Sequence, residues 1–231
     1  KEILKTRYEA GEPYLLFTDN ANRQLPISYQ KLNLKVKSSN ICSEIMLYTD
    51  NDHTFVCCLS SLNLTTYHKW KGTDAVQLSI WFLDGVIQEY IEKAKGKSGL
   101  EAAVRFAEKS RAVGLGVLGW HSLLQQQKIA FESFAAMQLN AEIFRYIQSE
   151  AQIATQELAK VYGEVEWTKD CGVRNTHLMA LAPTVSNSII SGDHSAGIEP
   201  FTANVFSQKT AKGTFLKFNA QLKQMLQEKG K

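Results

Sequence analysis

The stretch SNICSEI, residues 39–45, sets an amide, a thiol and a carboxylate at every second position: Asn40, Cys42 and Glu44. Side chains at i, i+2 and i+4 of an extended segment share one face, so the three can converge on a single small molecule. An amide orients hydroxyls, a carboxylate takes protons, and a thiol does nucleophilic or redox work. The same residues also suit a buried strand in which Cys42 is a small apolar filler. Further on, CCLSSLNL carries the adjacent pair Cys57 and Cys58. A bond between neighbouring cysteines is strained, which leaves one of the two free to be half of a redox pair with another thiol. His53 and His68 flank the pair without a metal-ligand spacing, so no metal site is expected.

A second candidate is APTVSNSIISG, residues 182–192, dense in hydroxyls and small side chains after an apolar run. If such a loop opens a helix, its backbone N–H groups and hydroxyls can meet a phosphate; the plain alternative is a capping loop. GLGVLG at 114–119 matches the dinucleotide fingerprint only in letters. A helical pattern precedes it and no acidic residue follows at the required distance, so close backbone packing at a helix junction accounts for its glycines.

The elements that must hold these residues read as follows. Tyr14–Phe17 is predicted as a short strand, with a turn or helix start at Thr18–Asn20. TDNDH at 49–53 is a loop, and residues 54–64 are a strand covered on both faces. From Gly72 to Tyr162 the pattern is helical. Val76, Ile80, Leu83 and Ile87 phase one helix, Thr73 or Asp74 caps it, and another helix ends at Gly163. HLMALA returns to strand before the hydroxyl loop, and the stretch from Gly213 onward is a final amphipathic helix. Strands, long helices and strands again predict one α/β domain over residues 1–231.

The bulk properties narrow the class. The 231 residues are 44% hydrophobic and 21% charged, an ordinary globular balance. A net charge of +3 gives no electrostatic case for nucleic acid or a membrane surface. Lys209, Lys212, Lys217, Lys223, Lys229 and Lys231 read as a solvated helix face. Four cysteines, no signal peptide and no long apolar run predict a reduced, cytoplasmic protein. The chain begins at Lys1, which reads as a trimmed, excised or split piece.

Taken in order, SNICSEI, CCLSSLNL, GLGVLGWHSLL and RNTHLMALAPTVSNSIISGDHSAGIEP resemble the large, catalytic subunit of class I ribonucleotide reductases over nearly the whole chain. The resemblance implies part of a ten-stranded α/β barrel, with a long helical stretch between strands and a finger loop carrying a radical cysteine. It implies that Cys42 forms the thiyl radical that takes the ribose 3′-hydrogen. Glu44 is then the base for the 3′-hydroxyl, Asn40 the amide on the ribose hydroxyls, and Cys57 a reducing thiol. Pro183, Thr184, Ser186, Asn187 and Ser188 match the family's diphosphate-binding turn. No role carries over to Cys58. The partner of Cys57 lies earlier in family chains, and no cysteine precedes Cys42 here.

By the same resemblance the chain holds no cofactor of its own. A ribonucleoside diphosphate is the substrate, a metal-containing small subunit supplies the radical, and a dithiol of thioredoxin or glutaredoxin type re-reduces the site. The remaining segments of the large subunit are expected partners, and the 231 residues alone are expected to be inactive. Two other readings use the same residues: a non-enzymatic α/β binding or assembly module with structural cysteines, and a reductase of another radical class.

Overall fold

The structure is a computed structural model, and it describes residues 1–210 and 213–230. Helices predominate, with two small sheets, so the α/β mixture expected from the sequence is present. The chain divides into two compact units. None of the helices among the described residues is long and apolar enough to cross a membrane.

The first unit takes residues 1–59, 80–114 and 152–180. It contains α1 (Glu2–Ala10), α2 (Thr18–Arg23), α3 (Ile27–Lys31), most of α5 (Ala75–Ala94), α6 (Glu101–Ser110) and the end of α8 (Phe134–Tyr162). Its core gathers Leu25, Tyr29, Val36, Ile45, Leu47, Phe106, Ala112 and Trp167. Ile45 and Leu47 are buried while Met46 and Tyr48 are only half-buried. The period-two pattern therefore holds here, although no ladder is formed.

The same unit holds a polar centre. Asp84 of α5 accepts from Arg111 Nε at 2.7 Å and from Arg111 Nη2 at 2.8 Å. Asn175 Nδ2 reaches Asp84 Oδ1 at 2.9 Å, Arg174 Nε reaches Oδ2 at 3.2 Å, and Thr155 donates to Asn175 Oδ1 at 2.9 Å. Arg111 ends α6 in the left-handed region, φ 45°, which turns its guanidinium onto α5. A buried charge is tolerated only when paired and hydrogen-bonded in this way.

The second unit takes residues 60–79, 115–151 and 181–231. It includes α4 (Tyr67–Trp70), α7 (Trp120–Gln126), the first part of α8, α9 (Val185–Ile190) and α10 (Ala220–Glu228). β1 (Leu59–Asn63) and β2 (Gly114–Leu118) form one sheet. β3 (Val205–Thr210) and β4 (Gly213–Phe218) form an antiparallel hairpin in which Val205 faces Phe218. The Asn219 side chain caps α10 by accepting from Leu222 N–H.

Val76, Ile80, Leu83 and Ile87 are all buried, as their spacing predicts. Thr73 Oγ1 accepts from Ala75 N–H at the start of α5, and Gly163 closes α8 at φ 81°. Other expectations are corrected. Tyr14–Phe17 is irregular, with Tyr14, Leu15 and Phe17 exposed, and its last carbonyl, on Phe17, accepts from Asn20 and Ala21 N–H to start α2 where a strand ladder was expected. The strand expected over 54–64 starts only at Leu59 and is half-buried along its length. Gly114–Leu118 is a buried strand inside the stretch expected to be helical. Its close packing is real: a Cβ on Gly114 would meet Leu59 Cδ2 at 2.3 Å and Ala180 Cβ at 2.8 Å.

HLMALA yields only a bridge at Met179. Residues 213–218 form a strand, so the final helix begins at Ala220. Lys209 and Lys217 accordingly sit on strands and not on a helix face, with Lys217 paired to Asp193 at 2.7 Å. Lys212 and Lys231 lie outside the described residues.

Candidate functional site

The stretch 39–45 is a turn and not an extended strand. Ser43 N–H donates to Asn40 C=O at 3.0 Å, and Ser43 has φ 65°. The turn is held from within. Asn40 Oδ1 accepts from Ile45 N–H at 3.1 Å and from Ser39 Oγ at 3.3 Å, and Ser39 Oγ also donates to Ile45 C=O at 2.7 Å. The shared-face argument is corrected accordingly: the amide of Asn40 braces the loop that carries the thiol, while Cys42 stands exposed at its tip.

Glu44 and Cys57 do come together. With Val56, Cys58, Val113, Gly114, His177, Met179 and Ala180 they line a narrow cavity of about 30 Å³, room for about two water molecules. One carboxylate oxygen of Glu44 is buried there without a hydrogen-bond partner. Burial pushes the Cys57 thiol above its usual value, and the charges of Glu44 and Cys42 push it further. The Cys57 thiol therefore responds to both Glu44 and Cys42, and Glu44 and Cys57 share the wall of this cavity. Cys42 and Cys57 are both exposed, and the cavity itself is too small to hold a nucleotide.

Cys58 has a different environment. It is buried, its Sγ donates to Leu83 C=O at 3.6 Å, and burial drives its thiol up to about 11. All four cysteines are free thiols. Among the described residues, no group of three or more His, Cys, Asp or Glu side chains is close enough to hold a metal ion.

The sequence reading missed His177, Met179 and Ala180 as cavity walls. Their signal lay in the RNTHLMALAP segment, which reads as an apolar run. His177 packs edge-on to Tyr29 with ring centroids 4.8 Å apart, and burial lowers its pKa to about 4. It is neutral at pH 7.

The hydroxyl turn belongs to the second unit. Thr184 is the N-cap residue of α9 with φ 50°. Its Oγ1 accepts from Gly197 N–H at 2.7 Å, and Ser188 Oγ donates to Val185 C=O at 3.1 Å. These two hydroxyls are buried and engaged within the loop. Pro183, Ser186 and Asn187 are exposed, beside the first N–H groups of α9, which have no partner within the helix. The turn is braced by a reciprocal pair: Ser122 N–H donates to Ser195 Oγ at 3.1 Å and Ser195 N–H to Ser122 Oγ at 2.9 Å. Gly119, at φ 83°, donates to Ser195 C=O at 2.8 Å, and a Cβ there would come within 3.2 Å of Asn63 and Thr65.

The family model described as the ribonucleotide reductase barrel domain matches residues 1–170 and 165–231. A ribonucleoside-diphosphate reductase large subunit of Invertebrate iridescent virus 3 is 40% identical over 230 residues, 99% of this chain and 36% of that protein. A large chain of the same description from Encephalitozoon cuniculi is 30% identical over 96% of this chain and 33% of its own length. Among solved structures, the class Id ribonucleotide reductase alpha subunit of Actinobacillus ureae superposes with a TM-score of 0.92 at 48% identity, covering 99% of this chain and 42% of that one. The chain thus spans between a third and just over two fifths of the length of these relatives.

Proposed function

The chain belongs to the ribonucleotide reductase barrel-domain family, and on that premise we propose that residues 1–231 are a portion of the catalytic barrel of a ribonucleoside-diphosphate reductase large subunit. The reaction is reduction of a ribonucleotide to its 2′-deoxyribonucleotide by way of a thiyl radical. The observation that carries this reading is the grouping of Cys42, Glu44 and Cys57, in which the Cys57 thiol feels both neighbours and a Glu44 oxygen is buried without a partner.

Each residue then has a role. Cys42, at the exposed tip of its turn, carries the radical and removes the ribose 3′-hydrogen. The unpartnered Glu44 oxygen is free to accept the 3′-hydroxyl proton, as a general base must be within hydrogen-bond reach of it. Asn40 braces the Cys42 turn, and its remaining amide capacity serves the ribose hydroxyls. Cys57 is held as a thiol at neutral pH, which suits a donor of reducing hydrogen. Ser186, Asn187 and the first N–H groups of α9 meet the substrate diphosphate. Pro183, Thr184 and Ser188 shape that turn, the last two through bonds already made inside it.

The radical comes from a metal-containing small subunit and the electrons from an external dithiol. Further segments of a large subunit complete the site, since the chain spans only 36% and 42% of the length of two relatives it matches. The test is reconstitution with those segments, the small subunit and a dithiol, with deoxynucleotide formation measured. Cys42→Ser should abolish product, and Glu44→Gln should slow it roughly 10²–10⁴-fold. Normal product from the Cys42→Ser assembly would end the radical assignment.

A further inference from the structure

A wall of the cavity of Glu44 and Cys57 belongs to a cluster of rings. His177 lines the cavity and packs on Tyr29 at 4.8 Å. Tyr29 meets Trp167 edge-on at 6.0 Å, and Trp167 meets Tyr48 at 5.6 Å and His53 at 5.2 Å. The cluster ends in a phenol with a base attached: Tyr48 Oη donates to Asp50 Oδ2 at 2.6 Å. Asp50 Oδ1 in turn lies 2.9 Å from His53 Nδ1 and accepts from the N–H groups of Asp52 and His53. Asp50 is half-buried and its neighbours Asn51 and Asp52 are exposed, so this end reaches solvent. Two phenols, an indole and a carboxylate hydrogen-bonded to one of the phenols thus follow one another through this cluster.

We propose that Tyr29, Trp167 and Tyr48 form an escape line that drains a stranded oxidising equivalent from the cavity thiols to the surface. The inference rests on the thiyl chemistry proposed above, but its geometry does not. The step is a one-electron exchange. A sulfur radical at the exposed Cys42 or Cys57 gains one electron, and a proton from solvent, and becomes a thiol. Tyr48 loses one electron, which crosses the Trp167 and Tyr29 rings. Its phenolic proton passes to Asp50 and on to solvent, which balances the proton taken up at sulfur, and a neutral tyrosyl radical remains. A small-molecule thiol then gives Tyr48 a hydrogen atom and leaves as its own thiyl radical. The ring contacts set the route for the electron, and the Tyr48–Asp50 bond sets the place where the proton leaves. A reactive centre that fails to meet substrate is in this way returned to its resting state without covalent damage to the cavity.

The test needs no turnover. The 231-residue chain, with Cys171→Ser, is labelled at the exposed Cys42 and Cys57 with a photolabile aryl thioether, and light releases the thiyl radical. Electron paramagnetic resonance and transient absorption then follow the radicals. The expected result is loss of the sulfur radical and rise of a tyrosyl signal. That signal is lost in Tyr48→Phe and loses its solvent isotope effect in Asp50→Asn. Trp167→Phe should leave the sulfur radical long-lived; if that variant fails to fold, the half-buried Tyr48→Phe substitution still decides the matter. No tyrosyl signal in the parent chain, or the same signal in Tyr48→Phe, overturns the proposal. An assembly that makes no deoxynucleotide while the photochemical transfer proceeds would instead overturn the proposed function and leave the escape line standing.

Discussion

Asp84 and Arg111 face each other as a two-pronged ion pair, 2.7 and 2.8 Å across, with both side chains almost wholly buried. Burial by itself would raise Asp84. The hydrogen bonds and charge of Arg111, with Arg174 and Asn175, override it and hold the carboxyl below its usual range. Removing the carboxylate charge leaves two guanidinium groups poorly compensated. Asp84→Asn should therefore destabilise the fold by roughly 3–5 kcal/mol, as breaking a buried pair does. The sign for pH follows from the lowered value. The stabilisation is complete above the ordinary carboxylate pKa and is lost as pH falls through the lower folded value. Urea unfolding of the parent and variant across the acid range measures both effects; equal midpoints would remove the pair from the list of stabilising contacts.

His177 gives a second acid dependence in a different window. Burial lowers it from 6.5 to about 4. The unfolded chain then binds a proton that the folded chain refuses, so stability falls as pH drops from about 6.5 towards 4. His177→Asn, which can keep a hydrogen bond to Thr176, should flatten that slope. His121 and His194 are lowered too and will leave a residual slope. Unfolding midpoints at several pH values check this, and an unchanged slope in the variant would contradict it.

The grouping of Glu44 with Cys57 is open to a purely chemical test. Burial first, and then the charges of Glu44 and Cys42, raise the Cys57 thiol. Alkylation proceeds through the thiolate. Glu44→Gln should therefore speed iodoacetamide modification of Cys57 at mildly alkaline pH, and Cys42→Ser should do so to a smaller extent. Peptide mass spectrometry follows each cysteine separately. A Cys57 rate indifferent to Glu44 would separate the two residues.

At Gly114 the backbone lies against Leu59 and Ala180. Gly114→Ala should cost about 1–3 kcal/mol through overpacking. Leu59 can swing its tip away, whereas the Ala180 Cβ is fixed to the backbone. Adding Ala180→Gly should therefore restore part of the loss. Thermal melts of the single and double variants decide it, and no recovery in the double variant would assign the strain to Leu59.

How much of this was legible in the sequence depends on the range of each interaction. The phase of Val76, Ile80, Leu83 and Ile87 and the stop at Gly163 are local properties, and both appear in the fold. GLGVL is too short and too small-sided for periodicity to separate a buried strand from a helix junction. The Tyr14–Phe17 run had strand character, but a strand also needs an unpaired neighbour, which no local pattern supplies. The site motif named Cys42, Glu44 and Cys57 and missed how they are presented. Asn40 satisfies Ile45 N–H and turns the loop, an asparagine habit that competes with extended structure. The Asp84 centre joins residues far apart in sequence, so no window of the chain contains it. The β3–β4 hairpin was hidden for another reason: GTFLKF carries an apolar pattern that continues into α10, and most of β4 is exposed.

One exposed and one buried cysteine stand side by side at 57 and 58. An oxidant such as peroxide attacks sulfur according to its thiolate character and access. The buried sulfur, with its thiol driven up to about 11 and its S–H on Leu83, is closed to it on both counts. Wear from repeated oxidation therefore falls on position 57, whose sulfur an external thiol can reach and repair. The neighbouring sulfur goes on anchoring the segment throughout, and each repair finds the geometry it left.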